Sequence, residues 1–223
     1  MKNKIFIAID TNNVKKARYI ISNSRLKNCK IGYKFGLEFL NSKNGRKFVS
    51  QLKSKITFGD YKIADIPNTC MSAIKAVKDL NLDYITIHIS SGLQALKAAI
   101  KVAGKTKLIG VSVLTSLDSK ALKEIGYNPD LKKLVHHQAK LARKAKLDAL
   151  VCSAQELKIV KKIFKKEIIT PGIRISSNSN DQKRIMTPRA AFKEGANWLV
   201  IGRELTKGNL KKNLKKLSDH LSQ

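Results

Sequence analysis

Eight short β-branched runs recur at a steady interval, and no other feature of this chain restricts its fold as much. They are IFIAI (5–9), CKIGY (29–33), KITFG (55–59), YITIH (84–88), KLIGVSV (107–113), LDALVC (147–152), EIIT (167–170) and WLVI (198–201). Between them lie segments with apolar residues at i, i+3 and i+4 and lysines turned outward, among them VKKARYIISNS, GLEFLNSKNGRKFVSQLKS, MSAIKAVKDLN, LQALKAAIKVAG, LVHHQAKLARKAK and SAQELKIVKKIFKK. Strands that are apolar on both faces and alternate with helices predict a parallel sheet covered by helices. Eight such units in 223 residues fit a closed (β/α)8 TIM barrel better than an open doubly wound sheet. Neither a G-x-G-x-x-G after the first strand nor a Walker A sequence is present, and no linker or low-complexity block divides the chain, so one domain is expected.

A hydrophobic content of 43% is enough for a sizeable core, and no apolar run approaches the roughly 18–20 residues of a bilayer span. With no basic-then-apolar leader at the start, the expectation is a soluble, cytoplasmic protein with no membrane partner. Cys29, Cys70 and Cys152 are far apart and lack metal-ligand spacing, as suits small apolar side chains in a reducing compartment. The balance of 45 Lys+Arg against 16 Asp+Glu, a formal +29, raises the possibility of a polyanion partner. Most of the excess is lysine spread over nearly every helical segment, with Asn and Ile also abundant, rather than an arginine-rich arm interleaved with aromatics. That pattern reads as compositional drift on solvated faces, and no specific nucleic acid is expected.

In such a barrel the active site lies at the C-terminal ends of the strands. Those positions hold Asp10, Lys34, Asp60 with Lys62, His88, Thr115 with Ser116, Ser153, Arg174 and Arg203. Burying charges costs several kcal/mol unless they are paired, so a ring of them implies work beyond packing. Asp60 and Lys62 are two apart; in extended geometry they leave the same face and can touch. Asp65 lies in the turn before a helix that Pro67 helps start, within reach of its own pocket or of a neighbouring subunit. Flanking carboxylates favour the ammonium form, so Lys62 reads as an electrostatic or general-acid lysine rather than a Schiff-base nucleophile. His88 reads as a hydrogen-bonded wall residue.

A second cluster is TPGIRISSNSNDQKRIMTP (170–188), followed by VIGRELTKG (200–208). The Ser/Asn-rich stretch reads as a mobile loop over 175–186. Gly202 lets backbone N–H groups approach an anion and Arg203 adds a forked cation, a pattern that suits phosphate binding after strands seven and eight.

DYKIADIPNT (60–69) resembles the D-x-K-x-x-D-I-P-N-T signature of the orotidine 5'-phosphate decarboxylase family in its compact bacterial form. AID (8–10), YKFGLEF (33–39), HISSG (88–92), GVSVLTSL (110–117), VCSAQE (151–156), TPGIR (170–174), DQKRIMTP (181–188) and VIGR (200–203) follow in that family's order and spacing. The resemblance runs from about residue 5 to 208. It implies that Lys62 is the general acid between Asp60 and Asp65, and that Lys34 completes the charged array. It also implies a homodimer in which Asp65 enters the partner's site. Asp10 and Thr69 are expected on the ribose hydroxyls, Thr115 or Ser116 at the pyrimidine edge, and Gln182, Gly202 and Arg203 on the phosphate with Arg174 beside them. Ile175 stands where the family often has Pro, a departure that bears on the stiffness of the loop.

The implied reaction takes orotidine 5'-phosphate to UMP and CO2 with no cofactor and no metal. Loss of CO2 from C6 leaves a carbanion without an adjacent electron sink, so its stabilisation is expected to be electrostatic, with Lys62 as proton donor and Asp60 disfavouring the substrate carboxylate. Related barrels that decarboxylate keto-sugar phosphates or make hexulose phosphates share D-x-K-x-x-D and need Mg2+, which makes them the alternative in the same class. A basic nucleic-acid-binding protein is the alternative outside it.

Overall fold

The expected (β/α)8 barrel forms. A computed structural model of the chain describes residues 3–128, 130–175 and 186–222. The strands are β1 (Asn3–Ile9), β2 (Cys29–Phe35), β3 (Ile56–Ile63), β4 (Tyr84–His88), β5 (Lys107–Val111), β6 (Ala149–Val151), β7 (Glu167–Thr170) and β8 (Trp198–Ile201). Each pairs in parallel with the next and β8 closes on β1 through Ile5↔Leu199, Phe6↔Val200 and Ile7↔Ile201. Around them lie α1 (Val14–Asn23), α2 (Leu37–Leu40), α3 (Gly45–Ser50), α4 (Pro67–Ala76), α5 (Gly92–Ala103), α6 (Ser119–Glu124), α7 (Leu131–Ala145), α8 (Leu157–Ile163), α9 (Pro188–Glu194), α10 (Arg203–Thr206) and α11 (Leu210–Ser222).

Local chemistry explains where several helices start. Asn13 Oδ1 accepts from the Lys16 N–H at the head of α1, Asp118 Oδ1 from the Ala121 N–H at α6, and Thr187 with Pro188 opens α9. Ser153, which the sequence places in the ring of strand-end polar groups, instead caps the 3₁₀ turn Ala154–Glu156. Its N–H donates to Glu156 Oε2 at 2.8 Å in a capping box. The segment read as one helix over 36–54 is two, α2 and α3. Gly45 follows the break because a Cβ there would run into the Phe39 carbonyl oxygen. α11 buries Leu210, Leu214 and Leu217 and leaves its four lysines exposed. Among the described residues no helix is long and apolar enough to cross a membrane, and all three cysteines are free thiols.

Alternation along the strands splits the core into two clusters. Residues facing outward from the barrel pack against the helices, while Phe6, Phe58, Tyr84, Ile109, Ile169 and Trp198 fill the interior with the small Ala8, Ala149 and Val200. Phe6 stacks on Trp198 with centroids 4.1 Å apart and meets Phe58 edge-on at 5.1 Å. At the N-terminal ends of the strands, Glu167 ties the polar tips of this layer together. It accepts from Tyr84 Oη (2.8 Å), Trp198 Nε1 (3.3 Å), Lys107 Nζ (3.0 Å) and Lys4 Nζ (3.4 Å).

Burial alone would raise the Glu167 pKa, but the hydrogen bonds from Lys107 and Tyr84 outweigh it and hold the carboxyl below its ordinary value. Burial and the same carboxylate push the Tyr84 phenol up to about 12. Because the folded-state value of Glu167 is the lower one, its contribution to stability is full above the unfolded value and is lost as pH falls through the folded one. Glu167→Gln should therefore lose about 1–2 kcal/mol in urea unfolding at pH 7, and the gap to wild type should close towards pH 3. A gap that widens in acid would contradict this assignment.

Candidate active site

Register places the charged residues in layers. Ala8, Lys34 and Phe58 are direct neighbours across β1, β2 and β3, and Asp10 and Asp60 lie two residues further along their chains. The short Ala8 leaves room for the Lys34 chain, which rises between the two carboxylates. Its Nζ is 3.3 Å from Asp60 Oδ2 and 3.6 Å from Asp10 Oδ1. Lys62 Nζ meets the same Asp60 Oδ2 at 2.8 Å. Asp60 is only 8% exposed, so two ammoniums share one oxygen of a nearly buried carboxylate. Burial by itself would raise the Asp60 pKa; the charges of Lys34 and Lys62, with hydrogen bonds from Lys62 and Thr86, overcome it and keep the carboxyl below its usual value.

The expectation that simple extended geometry joins Asp60 to Lys62 needs amending. β3 runs on through Lys62 to Ile63, but its register with β4 shifts between Gly59 and Ile63: Gly59 pairs with Ile85 and Ile63 with Ile87, so four steps on β3 match two on β4. Lys62 absorbs the excess with φ 49°. Among the described residues the other non-glycine positions of positive φ, Asn28, Ser54, Asn81 and Lys146, all lie outside strands. A left-handed backbone costs an L-residue about 1–2 kcal/mol, and strain of this kind gathers at functional sites.

These groups sit at the floor of a cavity of about 260 Å³ at the C-terminal ends of the strands. Phe58, Val111, Val151 and Val200 give it apolar walls; Asp10, Lys34, Asp60, Lys62, Thr115, Arg174, Gly202 and Arg203 give it polar ones. Eight of the residues expected from sequence thus share one cavity. Thr115 lines it and the exposed Ser116 does not. Gly202 packs close to Asp10: a Cβ there would stand 3.0 Å from Asp10 Oδ2, which would have to give way by a few tenths of an ångström. Arg174 is 9% exposed, 4.0 Å from Glu204 Oε2, while Glu204 Oε1 accepts from the Ile175 N–H at 3.3 Å. Gln182 and residues 176–185 of the expected loop lie outside the described residues.

Asp65 and Thr69 do not line this cavity. Both lie on the exposed stretch 64–69 beside Ile66, which is 66% exposed, and Asp65 Oδ1 accepts from the Ile66 N–H at 2.7 Å. Among the described residues no Lys, Arg or His nitrogen lies within 4.0 Å of the Asp65 carboxylate, and no three His, Cys, Asp or Glu side chains form a metal-ligand set.

Sequence reasoning missed Thr86, which is fully buried on β4 and bonded to both Asp60 and the Lys62 backbone. The available signal was a hydroxyl at an inward position of YITIH, in step with Tyr84 and His88. His88 is half-buried; desolvation and the Lys62 charge lower its pKa, while Asp60 opposes them. By NMR it should titrate below the ordinary value of about 6.5, and lower still in Asp60→Asn, where the opposing carboxylate is gone. A His88 that titrates higher in that variant would show that the Asp60 charge does not act on it.

Residues 3–216 match the family described as Orotidine 5'-phosphate decarboxylase / HUMPS family. The chain is 41% identical over 213 residues to orotidine 5'-phosphate decarboxylase of Wolbachia sp. subsp. Brugia malayi, covering 93% of each chain. It is 39% identical over 216 residues to the protein of that name from Coxiella burnetii, covering 91% of this chain and 89% of that one. The crystal structure of orotidine 5'-phosphate decarboxylase from Lactobacillus acidophilus superposes over all of both chains with a TM-score of 0.82 at 27% identity.

Proposed function

The chain belongs to the Orotidine 5'-phosphate decarboxylase / HUMPS family, and from that premise we propose how its side chains perform the reaction. That reaction is the decarboxylation of orotidine 5'-phosphate to UMP and CO2 in pyrimidine biosynthesis. The observation that carries the mechanism is the pair of ammoniums held on one oxygen of Asp60 in a cavity with apolar walls on its other sides. The bond from C6 to the carboxylate carbon breaks with its electron pair left on C6, and CO2 departs. The Lys62 ammonium, fixed before the charge develops, stabilises the carbanion and then gives it a proton. Low-dielectric walls strengthen that interaction because little water competes for the charge. No cofactor and no metal take part in this proposal.

At the other side of the cavity, Arg203 and the Gly202 backbone are assigned to the phosphate, with Arg174 beside them; Gln182 joins them on the family resemblance. Asp10 is assigned to the ribose and Thr115 to the pyrimidine edge. Binding energy from a phosphate remote from C6 can be used to order the reacting end, which no single lysine achieves.

The working unit proposed is a homodimer in which Asp65 enters the partner's site, with Thr69 at its ribose. Support comes from the exposed 64–69 stretch, where a carboxylate with no ion pair among the described residues sits next to the exposed Ile66 and Pro67. A cytoplasmic location goes with this reading, and three free cysteines suit a reducing compartment.

Conversion of orotidine 5'-phosphate followed by ultraviolet absorbance should proceed fully in EDTA, and Lys62→Ala should abolish it while the fold persists by circular dichroism. Dependence on added Mg2+ would favour the sugar-phosphate branch, and wild-type turnover in Lys62→Ala would remove that residue from its role. Mixing inactive Lys62→Ala and Asp65→Ala subunits should restore about a quarter of wild-type activity, because half the dimers are mixed and each has one intact composite site. No recovery on mixing, with exchange verified, would place Asp65 in its own subunit's site.

A further inference from the structure

We propose that Thr86 is a positioning residue for Lys62 and Asp60, acting through one hydroxyl that joins the Lys62 backbone to the Asp60 carboxylate. Thr86 Oγ1 accepts from the Lys62 N–H at 2.8 Å and donates to Asp60 Oδ1 at 3.1 Å, and the residue is fully buried. The two bonds have separate effects. The first satisfies an N–H that the shifted register of β3 and β4 carries out of the regular ladder, at the residue whose φ is 49°. The second fixes the rotation of the carboxylate, so that Oδ2 is the oxygen presented to both Lys62 Nζ (2.8 Å) and Lys34 Nζ (3.3 Å).

Lys62 is thus held at both ends of its side chain, by its own N–H at the root and by Asp60 at the tip. Thr86 anchors both restraints. A hydroxyl can serve here because it donates one hydrogen bond and accepts another at the same atom; a valine of the same shape does neither. The remaining groups facing Asp60 are cations from β2 and β3 and the half-buried His88 from β4, so among the described residues no second hydroxyl replaces Thr86. Thr86 reaches neither lysine tip itself, which makes it a positioning residue rather than a catalytic one.

The inference rests on the catalytic role given to Lys62. Steady-state kinetics of Thr86→Ser, Thr86→Cys and Thr86→Val separate it from a packing role. Serine keeps the hydroxyl, cysteine offers a weak donor and acceptor of similar size, and valine offers neither. The expected order of kcat is Ser above Cys above Val. Thr86→Val should fall by about a hundredfold, the scale of a small misplacement of a catalytic group, with KM within about twofold because phosphate and ribose contacts are untouched. Equal kcat across the folded variants, or a loss confined to KM, would overturn the inference. If the valine variant does not fold, the serine and cysteine pair decides on the same criterion. Lys62→Ala keeps the two failures distinct: an inactive Lys62→Ala beside a flat Thr86 series overturns only the positioning role, whereas an active Lys62→Ala overturns the mechanism beneath it.

Discussion

A carboxylate that is nearly buried at a strand end must be answered by opposite charge, and most of this site follows from how Asp60 is answered. Its Oδ2 takes both the Lys62 and the Lys34 ammoniums, and its Oδ1 takes the Thr86 hydroxyl. Lys34 in turn spans to Asp10, so charges of alternating sign run from β1 through β3. Removing an ion from water costs several kcal/mol, and only this close pairing offsets it. The lysine beside Asp60 is thereby held in place, its ammonium 2.8 Å from the carboxylate oxygen. A cation prepared before the reaction is worth more to a developing anion than one that must reorganise during it.

The same alternation of side chains builds the two ends of the barrel differently. Towards the N-terminal ends of the strands, Phe6, Tyr84 and Trp198 fill the interior and Glu167 binds the polar tips of Tyr84 and Trp198. Towards the C-terminal ends, Ala8, Val111, Val151 and Val200 are short, and the space they leave is the cavity. Stability is concentrated below and open space above. That division lets β3 carry a shifted register and a left-handed lysine at its upper end, since the packed layer beneath keeps the strand in line.

Much of this was legible in the sequence. Eight apolar runs at a regular spacing pointed to the barrel, and Asp10, Lys34, Asp60, Lys62, Thr115, Arg174, Gly202 and Arg203 all reach one cavity from the C-terminal ends of six strands. Other features were written there and passed over: Ser-Ala-Gln-Glu at 153–156 has the spacing of a capping box, which Ser153 forms instead of facing the cavity. The break between α2 and α3 was harder to see, because apolar spacing continues across it while the chain turns where Gly45 meets the Phe39 carbonyl. Asp65 and Thr69 mark a limit of a different sort, for both are exposed and neither lines this chain's own cavity.

What this chain's sequence determined alone was periodicity and chemistry: where strands and helices fall, which faces are apolar, and which charged residues stand at the strand ends. Only the tertiary structure decided which atoms meet. Period two assigns a residue to a face of its own strand but says nothing of its height against a strand 26 residues away, and that height is what sets Thr86 against Asp60. The register shift that puts Lys62 at φ 49° is a property of β3 and β4 together. Likewise β8 meets β1 only because the sheet closes, and closure brings Gly202 up to Asp10.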